Sequence, residues 1–168
     1  MYKNLAYWIC LPTVLFAYQW LIADFGTQHI VTGGYGEVRS KQVAGQWEYR
    51  HHVHDAIDID KGESSVAVYP VVSGTIFGEV LAGEEIIYIE GNDGYYYTYH
   101  HLENTESWDN GAEVIAGETI LGHINTGDSN HLHFVDGILN ESTYNPILYI
   151  YPFADSEDPV IEIHKGGQ

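Results

Sequence analysis

The chain has 168 residues, enough for one domain that buries a core without disulfide cross-links. Its 24 acidic and 6 basic residues give a net charge of −18, which repels nucleic acid phosphates and anionic lipids, so neither is an expected partner. The single cysteine, Cys10, excludes an intrachain disulfide and does not lie in a convincing lipoprotein box.

The N-terminal segment Leu5–Ala23 is apolar and follows the basic residue Lys3. This order is typical of a signal peptide or a single membrane anchor, although the segment contains proline and glutamine and no Ala-x-Ala cleavage site follows it. A buried N-terminal helix packed on the domain is the alternative. We therefore predict an apolar leader or anchor at residues 1–24 and one folded domain at residues 25–168.

Beyond residue 25 the apolar pattern favours strands, because no stretch keeps a 3.6-residue period. Short β-branched or aromatic segments alternate with turn residues, and Asp93-Gly94 is a hairpin signal between two of them. The segments are residues 66–69, 74–80, 85–90, 95–99 and 119–124. They predict a mainly β fold, a compact antiparallel sheet assembly. The tyrosines of residues 95–99 suggest a substrate-stacking wall, but coverage of a half-buried strand is the favoured interpretation.

His54 and Asp58 are four residues apart, which restricts the backbone that would let them share a ligand. On one straight strand they would stand roughly 13 Å apart, at about 3.3 Å per residue. Residues four apart meet when the backbone curls through a turn. We therefore expect His54 in a loop and Asp58 in a short strand over residues 57–59.

The run His131-Leu132-His133-Phe134 alternates with period two. On a strand this alternation turns both imidazoles to one face, while Leu132 and Phe134 enter the core. One face of the strand would present the two imidazoles, and the other face would pack in the core.

Imidazole nitrogens and a carboxylate oxygen without thiolate suit Zn²⁺, and three protein ligands leave a fourth tetrahedral position for water, as in catalytic zinc sites. The competing explanation is chance, since a chain with 10 histidines holds some pairs at suggestive spacings. The residues alone leave both explanations open.

Three runs in this chain resemble, in order, the three signatures of the LytM/lysostaphin-type zinc metallopeptidases. This is the M23 family, whose members cut the peptide stems and cross-bridges of bacterial cell walls. The runs are His54-Asp55-Ala56-Ile57-Asp58-Ile59, Tyr99-His100-His101-Leu102 and His131-Leu132-His133-Phe134. Other segments resemble the family's opening glycine-rich strand, its glycine-framed hairpin and its closing segment. They are residues 31–36, 111–122 and 144–149.

The resemblance implies that His54, Asp58 and His133 hold the zinc and that His101 and His131 form the catalytic pair beside it. It also implies a barrel-like sandwich of the LytM type, with the zinc in a groove between long loops. The cleft loops that would decide which bond is cut are expected at residues 39–49 and 103–110.

Three further histidines lie next to these motifs. His51 and His52 compete with His54 for the role of first ligand, although only His54 has the four-residue spacing to Asp58. Alternation along the strand is expected to turn His100 away from the face that carries His101.

The function that the resemblance implies is a zinc endopeptidase acting on peptidoglycan peptides. Such a protein would be exported and would be periplasmic, membrane-anchored through residues 5–23, or secreted, and a monomer is expected. One alternative is a non-catalytic relative that binds or regulates wall hydrolases, although such relatives usually lose metal ligands. Another is a zinc peptidase acting on glycine-rich proteins outside the wall.

Overall fold

The computed structural model describes residues 18–43, 46–60, 65–126, 130–138, 142–148 and 150. In this part the chain forms short strands and one 3₁₀ helix, Pro146–Leu148. The strands are β1 (Val31–Gly33), β2 (Val38–Val43), β3 (Gln46–Val53), β4 (Ile57–Asp60), β5 (Ala67–Val68), β6 (Gly74–Ile76), β7 (Ile86–Gly91), β8 (Tyr96–His100), β9 (Leu102–Glu103), β10 (Glu113–Val114), β11 (Gly122–Ile124), β12 (His131–Gly137) and β13 (Thr143–Tyr144). The predicted mainly β fold is confirmed.

Eight of the described strands form one antiparallel sheet in the order β1-β4-β12-β8-β7-β6-β10, with β13 paired to β12. A second sheet has the order β5-β11-β9, and β2 pairs with β3 in a hairpin. The turn predicted at Asp93-Gly94 connects β7 to β8, and Gly94 adopts a φ of 85°, which a residue with a Cβ adopts less readily.

Two local expectations were wrong. The glycine-framed segment 111–122 does not form a hairpin with itself, because β10 pairs with β6 while β11 pairs with β5 and β9. Residues 39–49 are not an irregular loop, because β2 and β3 pair as a hairpin through most of that range. The sequence of this hairpin is mainly polar, so the apolar pattern did not reveal it. Residues 104–110 are loop, apart from a bridge between Trp108 and Val80.

The large sheet has one buried face and one face that carries polar side chains. Along β7, β8 and β12 alternate residues are buried, including Tyr97 and Tyr99 on β8 and Leu132 and Phe134 on β12. The favoured interpretation of the tyrosine-rich segment therefore holds for Tyr97 and Tyr99. The alternate residues of β12 that are not buried, His131 and His133 included, lie on the opposite face of the sheet, as the period-two pattern predicts.

Part of the predicted leader packs into this core. Trp20, Leu21 and Ile22 are almost completely buried, and Ile22 forms an antiparallel bridge with Val68. Residues 1–17 lie outside the described residues, so a leader or anchor at residues 1–24 stays a prediction. Within the described part of the chain, no helix has the length and apolar character needed to cross a bilayer.

Candidate metal centre

The register of three neighbouring strands brings the histidines and Asp58 together. β12 lies between β4 and β8, and His133 pairs with Asp58 on one side and with His100 on the other. His54 lies in the loop just before β4, and Asp58 is the second residue of that strand. The expected loop position of His54 and strand position of Asp58 are both confirmed.

Three atoms of this cluster that could coordinate a metal ion lie close together. The Oδ1 atom of Asp58 lies 3.0 Å from Nδ1 of His133 and 3.2 Å from Nε2 of His54. The two imidazole nitrogens are 3.1 Å apart. His54 and Asp58 are 2% and 5% exposed, so these groups are taken almost fully out of water. Such a set of polar groups is unfavourable in a core unless the groups bind one another or an ion.

The orientation of His54 fits a metal ligand. Its Nδ1–H donates to the carbonyl oxygen of Gly34 at 2.9 Å, and because a carbonyl only accepts, the proton of the neutral ring is on Nδ1. The lone pair of Nε2 therefore faces Asp58 and His133. Metal-binding histidines commonly donate their other ring N–H to a backbone carbonyl in this way, which fixes the tautomer and the orientation of the ring. Two imidazole nitrogens and one carboxylate oxygen are a donor set compatible with zinc.

Arg39 fixes the second oxygen of Asp58, a contact that the sequence reasoning missed. Its Nη2 donates to Asp58 Oδ2 at 2.6 Å and also contacts Glu37 at 3.2 Å, so Oδ1 is the oxygen that faces the imidazoles. Burial raises the pKa of the Asp58 carboxyl, but its hydrogen bonds with His133 and Arg39, together with the charges of His131 and His54, outweigh burial and hold that pKa well below its ordinary value. The carboxylate is therefore ionised near neutral pH. No local sequence signal identifies Arg39, because it comes from β2.

His101 and His131 lie on the open side of the same cluster. Their ring centroids are 4.8 Å apart, and Nε2 of His131 is 3.5 Å from Asp58 Oδ1. The donor atoms of His101, His131 and His133 also lie within 4.8 Å of one another, so His133 belongs to two overlapping groups of three. Burial lowers the pKa of both His101 and His131, which keeps these rings neutral at neutral pH.

The expectation for His100 was wrong. His100 does not turn away from the site; its ring centroid lies 5.0 Å from that of His133 and 6.3 Å from that of His101. The reason is that His101 has left the strand, with a φ of 63°, so simple alternation does not relate the two residues. Burial, followed by the charge on His133, lowers the pKa of His100 to about 4.

Of the two alternatives to His54, one has a described side chain. His52 is exposed on β3, and the side chain of His51 lies outside the described part. The structure therefore brings together His54, Asp58, His101, His131 and His133, with His100 and Arg39 in addition.

Several solved structures share this fold. The catalytic domain of the antimicrobial peptidase lysostaphin from Staphylococcus simulans superposes with a TM-score of 0.54 at 23% identity, over 72% of this chain and 91% of that domain. A variant of the catalytic domain of the prophage-encoded M23 protein EnpA from Enterococcus faecalis gives a TM-score of 0.52 at 19% identity, over 75% of this chain and 95% of that one.

A third similar structure belongs to the SpoIIQ–SpoIIIAH pore-forming complex, with a TM-score of 0.59 at 18% identity over 81% of this chain and 92% of that one. No protein-family model matches the chain, and no curated protein sequence matches it. At these identities the likeness concerns the fold, which is the β fold of the LytM-type peptidases.

Proposed function

We propose that this protein is a zinc-dependent endopeptidase that hydrolyses peptide bonds in bacterial cell-wall peptidoglycan. The observation that carries the proposal is the meeting of His54, Asp58 and His133 at distances of 3.0–3.2 Å, on a fold shared with peptidases of this type. These three residues would hold the metal. The remaining donors, His101 and His131, lie beside them on the open side.

When bound, zinc supplies a Lewis acid for the substrate carbonyl and a water whose pKa falls to about 7. The chain's own residues then accept and donate the protons of the reaction. His101 and His131 are neutral at neutral pH, so either ring can accept the proton of the attacking water and later donate to the leaving amine. A protonated ring at this position also stabilises the developing oxyanion. Arg39 and the carbonyl of Gly34 keep Asp58 and His54 oriented.

The substrate also bears on where the protein works. A peptidoglycan hydrolase acts outside the cytoplasm, so we infer export to the periplasm or beyond. Because residues 18–22 pack into the domain, a membrane anchor or a cleaved signal peptide fits the proposal where that segment ends before residue 18.

A second candidate function is a non-catalytic module that binds or regulates other wall hydrolases. The likeness to a component of a pore-forming complex favours it, because that likeness shows this fold in an assembly role. The presence of a compact set of five candidate residues favours the enzyme.

The test is zinc content by elemental analysis of protein purified without added metal, together with release of soluble fragments from purified peptidoglycan. We expect one zinc per chain and release that a chelator abolishes. His131→Ala should keep zinc and lose turnover, whereas His133→Ala and Asp58→Asn should lose the metal itself. His52→Ala, at an exposed histidine on β3, is the matched control and should keep both properties.

Two results would contradict the proposal. Equal zinc content and equal release in all of these variants would refute the role assignments. A folded wild-type protein that binds peptidoglycan without zinc would favour the non-catalytic module instead.

A further inference from the structure

A groove lies on the same face of the large sheet as the metal centre. Its volume is about 430 Å³, and Val135, Thr98 and Tyr88 form its floor on three adjacent strands. Val135 is two residues beyond His133, and Thr98 is two residues before His100, so each lies on the same face as its histidine. At about 3.3 Å per residue, the backbone of Val135 lies roughly 7 Å from that of His133.

The groove has aromatic walls that are already in place. Phe77 and Tyr88 are 40% and 46% exposed although both are large apolar side chains. Phe77 contacts Tyr96 edge to face, with ring centroids 5.3 Å apart, which fixes one wall. Exposed aromatic residues grouped in a concavity are typical of ligand sites.

One acidic side chain lines this groove. Glu79 lines it and is exposed, and the chain as a whole carries a net charge of −18. Aromatic rings along a groove favour the methylene stem of a long side chain, while a carboxylate beside them and the faces of the rings favour a cationic end. A glycine residue would leave the groove unfilled, and an acidic residue would be repelled.

We propose that this groove is a specificity pocket for a long basic side chain of the lysine type, about two residues from the bond that is cut. The spacing follows from an extended peptide, which advances about as far per residue as the strands beneath it. The inference rests on the proposed endopeptidase function and narrows its substrates to peptides with such a residue near the scissile bond. Glycine-rich segments are disfavoured.

The test uses four synthetic peptides that differ at this one position, with lysine, norleucine, glycine or glutamate. Cleavage by the zinc-loaded wild-type protein is measured, and binding of each peptide to the His131→Ala variant is measured by calorimetry. We expect lysine to be preferred over norleucine by about 2–5-fold, the range for a cation against exposed aromatic rings. Norleucine should be preferred over glycine by about 10-fold or more, from the methylene groups that it buries.

Two groove variants separate charge from shape. Glu79→Gln should reduce the preference for the lysine peptide over the norleucine peptide. Tyr88→Ala should reduce the preference for both of these peptides over the glycine peptide. Glu84→Gln and Leu81→Ala, at exposed residues outside the groove lining, are the matched controls and should change neither ratio.

Equal binding of the lysine, norleucine and glycine peptides would overturn the pocket, as would Tyr88→Ala with unchanged ratios. If no peptide is cleaved but binding still follows the expected order, the pocket stands and the endopeptidase function fails. If all peptides are cleaved at equal rates, the endopeptidase stands and the pocket fails.

Discussion

Asp136 is a buried acid whose titration should contribute to the pH dependence of the stability of the fold. It lies on β12 with its side chain on the core face, is 3% exposed, and its Oδ1 has no hydrogen-bond partner among the described residues. Burial, with a smaller contribution from the charge of Asp93, raises the pKa of this carboxyl from 3.8 to about 7. The folded protein therefore holds a proton that the unfolded chain releases more easily.

The free-energy consequence follows from this difference. Below pH 3.8 the carboxyl is protonated in both states, so Asp136 causes no pH dependence there. As the pH rises from 3.8 to about 7, the unfolded chain ionises first and the free energy of unfolding falls. Above pH 7 the full shift of roughly 3 units applies, which at 1.36 kcal/mol per unit destabilises the fold by about 4 kcal/mol.

The perturbation is Asp136→Asn, which removes the ionisation and keeps the shape. Urea unfolding of the variant and the wild type at a series of pH values gives the difference between their free energies of unfolding. From pH 5 to pH 8 this difference should shift by about 2–3 kcal/mol in favour of the variant. An unpaired amide can change the absolute stability, but only the lost carboxyl changes the slope.

The control is Asp109→Asn, the same replacement at an exposed loop residue, whose difference from the wild type should stay nearly constant. A constant difference for Asp136→Asn as well would refute the reasoning, because it would mean that the carboxyl titrates alike in the folded and unfolded chains.

Three other predictions concern the metal centre. A Cβ on Gly33 would collide with Arg39 Nη2 and Asp58 Oδ2, so Gly33→Ala should weaken zinc binding about 10–100-fold in a competition assay. In Gly34→Ala the added carbon meets only the end of a flexible side chain 3.3 Å away, so zinc binding should be kept. Arg39→Ala should also weaken zinc binding about 10–100-fold, and the zinc affinity of Arg39→Lys should lie between those of the wild type and Arg39→Ala. Unchanged zinc affinity in both variants would show that Arg39 does not position the Asp58 carboxylate. Zinc at about 1,000 times its Kd should stabilise the chelated protein by about 4 kcal/mol, or roughly 8–16 °C in Tm, and an equal shift with Mg²⁺ would argue against a site of this donor chemistry.

Local sequence patterns were sufficient for the orientation of several site residues. Period-two alternation placed His131 and His133 on one face of β12, because side-chain direction along a strand depends only on the strand itself. The four-residue spacing likewise placed His54 in a loop and Asp58 in β4, since a straight strand would separate them too far.

The same reasoning failed where a contact depends on which strands become neighbours. Alternation was applied to His100 and His101 as if both were in β8, but His101 has a positive φ outside the strand. His100 faces His133 because β8 pairs with β12 in the register that sets these two residues opposite each other. The glycine-framed segment 111–122 was predicted as a hairpin, yet its two strands pair in different sheets.

The sequence by itself thus determined the chemistry of the donors and the face on which each strand presents them. Only the tertiary structure decided that β12 lies between β4 and β8, that Arg39 from β2 holds Asp58, and that a groove with aromatic lining lies on the face of the sheet that carries His133. The physical reason is that side-chain direction is a local property of the backbone. Strand order and register instead depend on burial of the whole core, to which residues far apart in the chain contribute together.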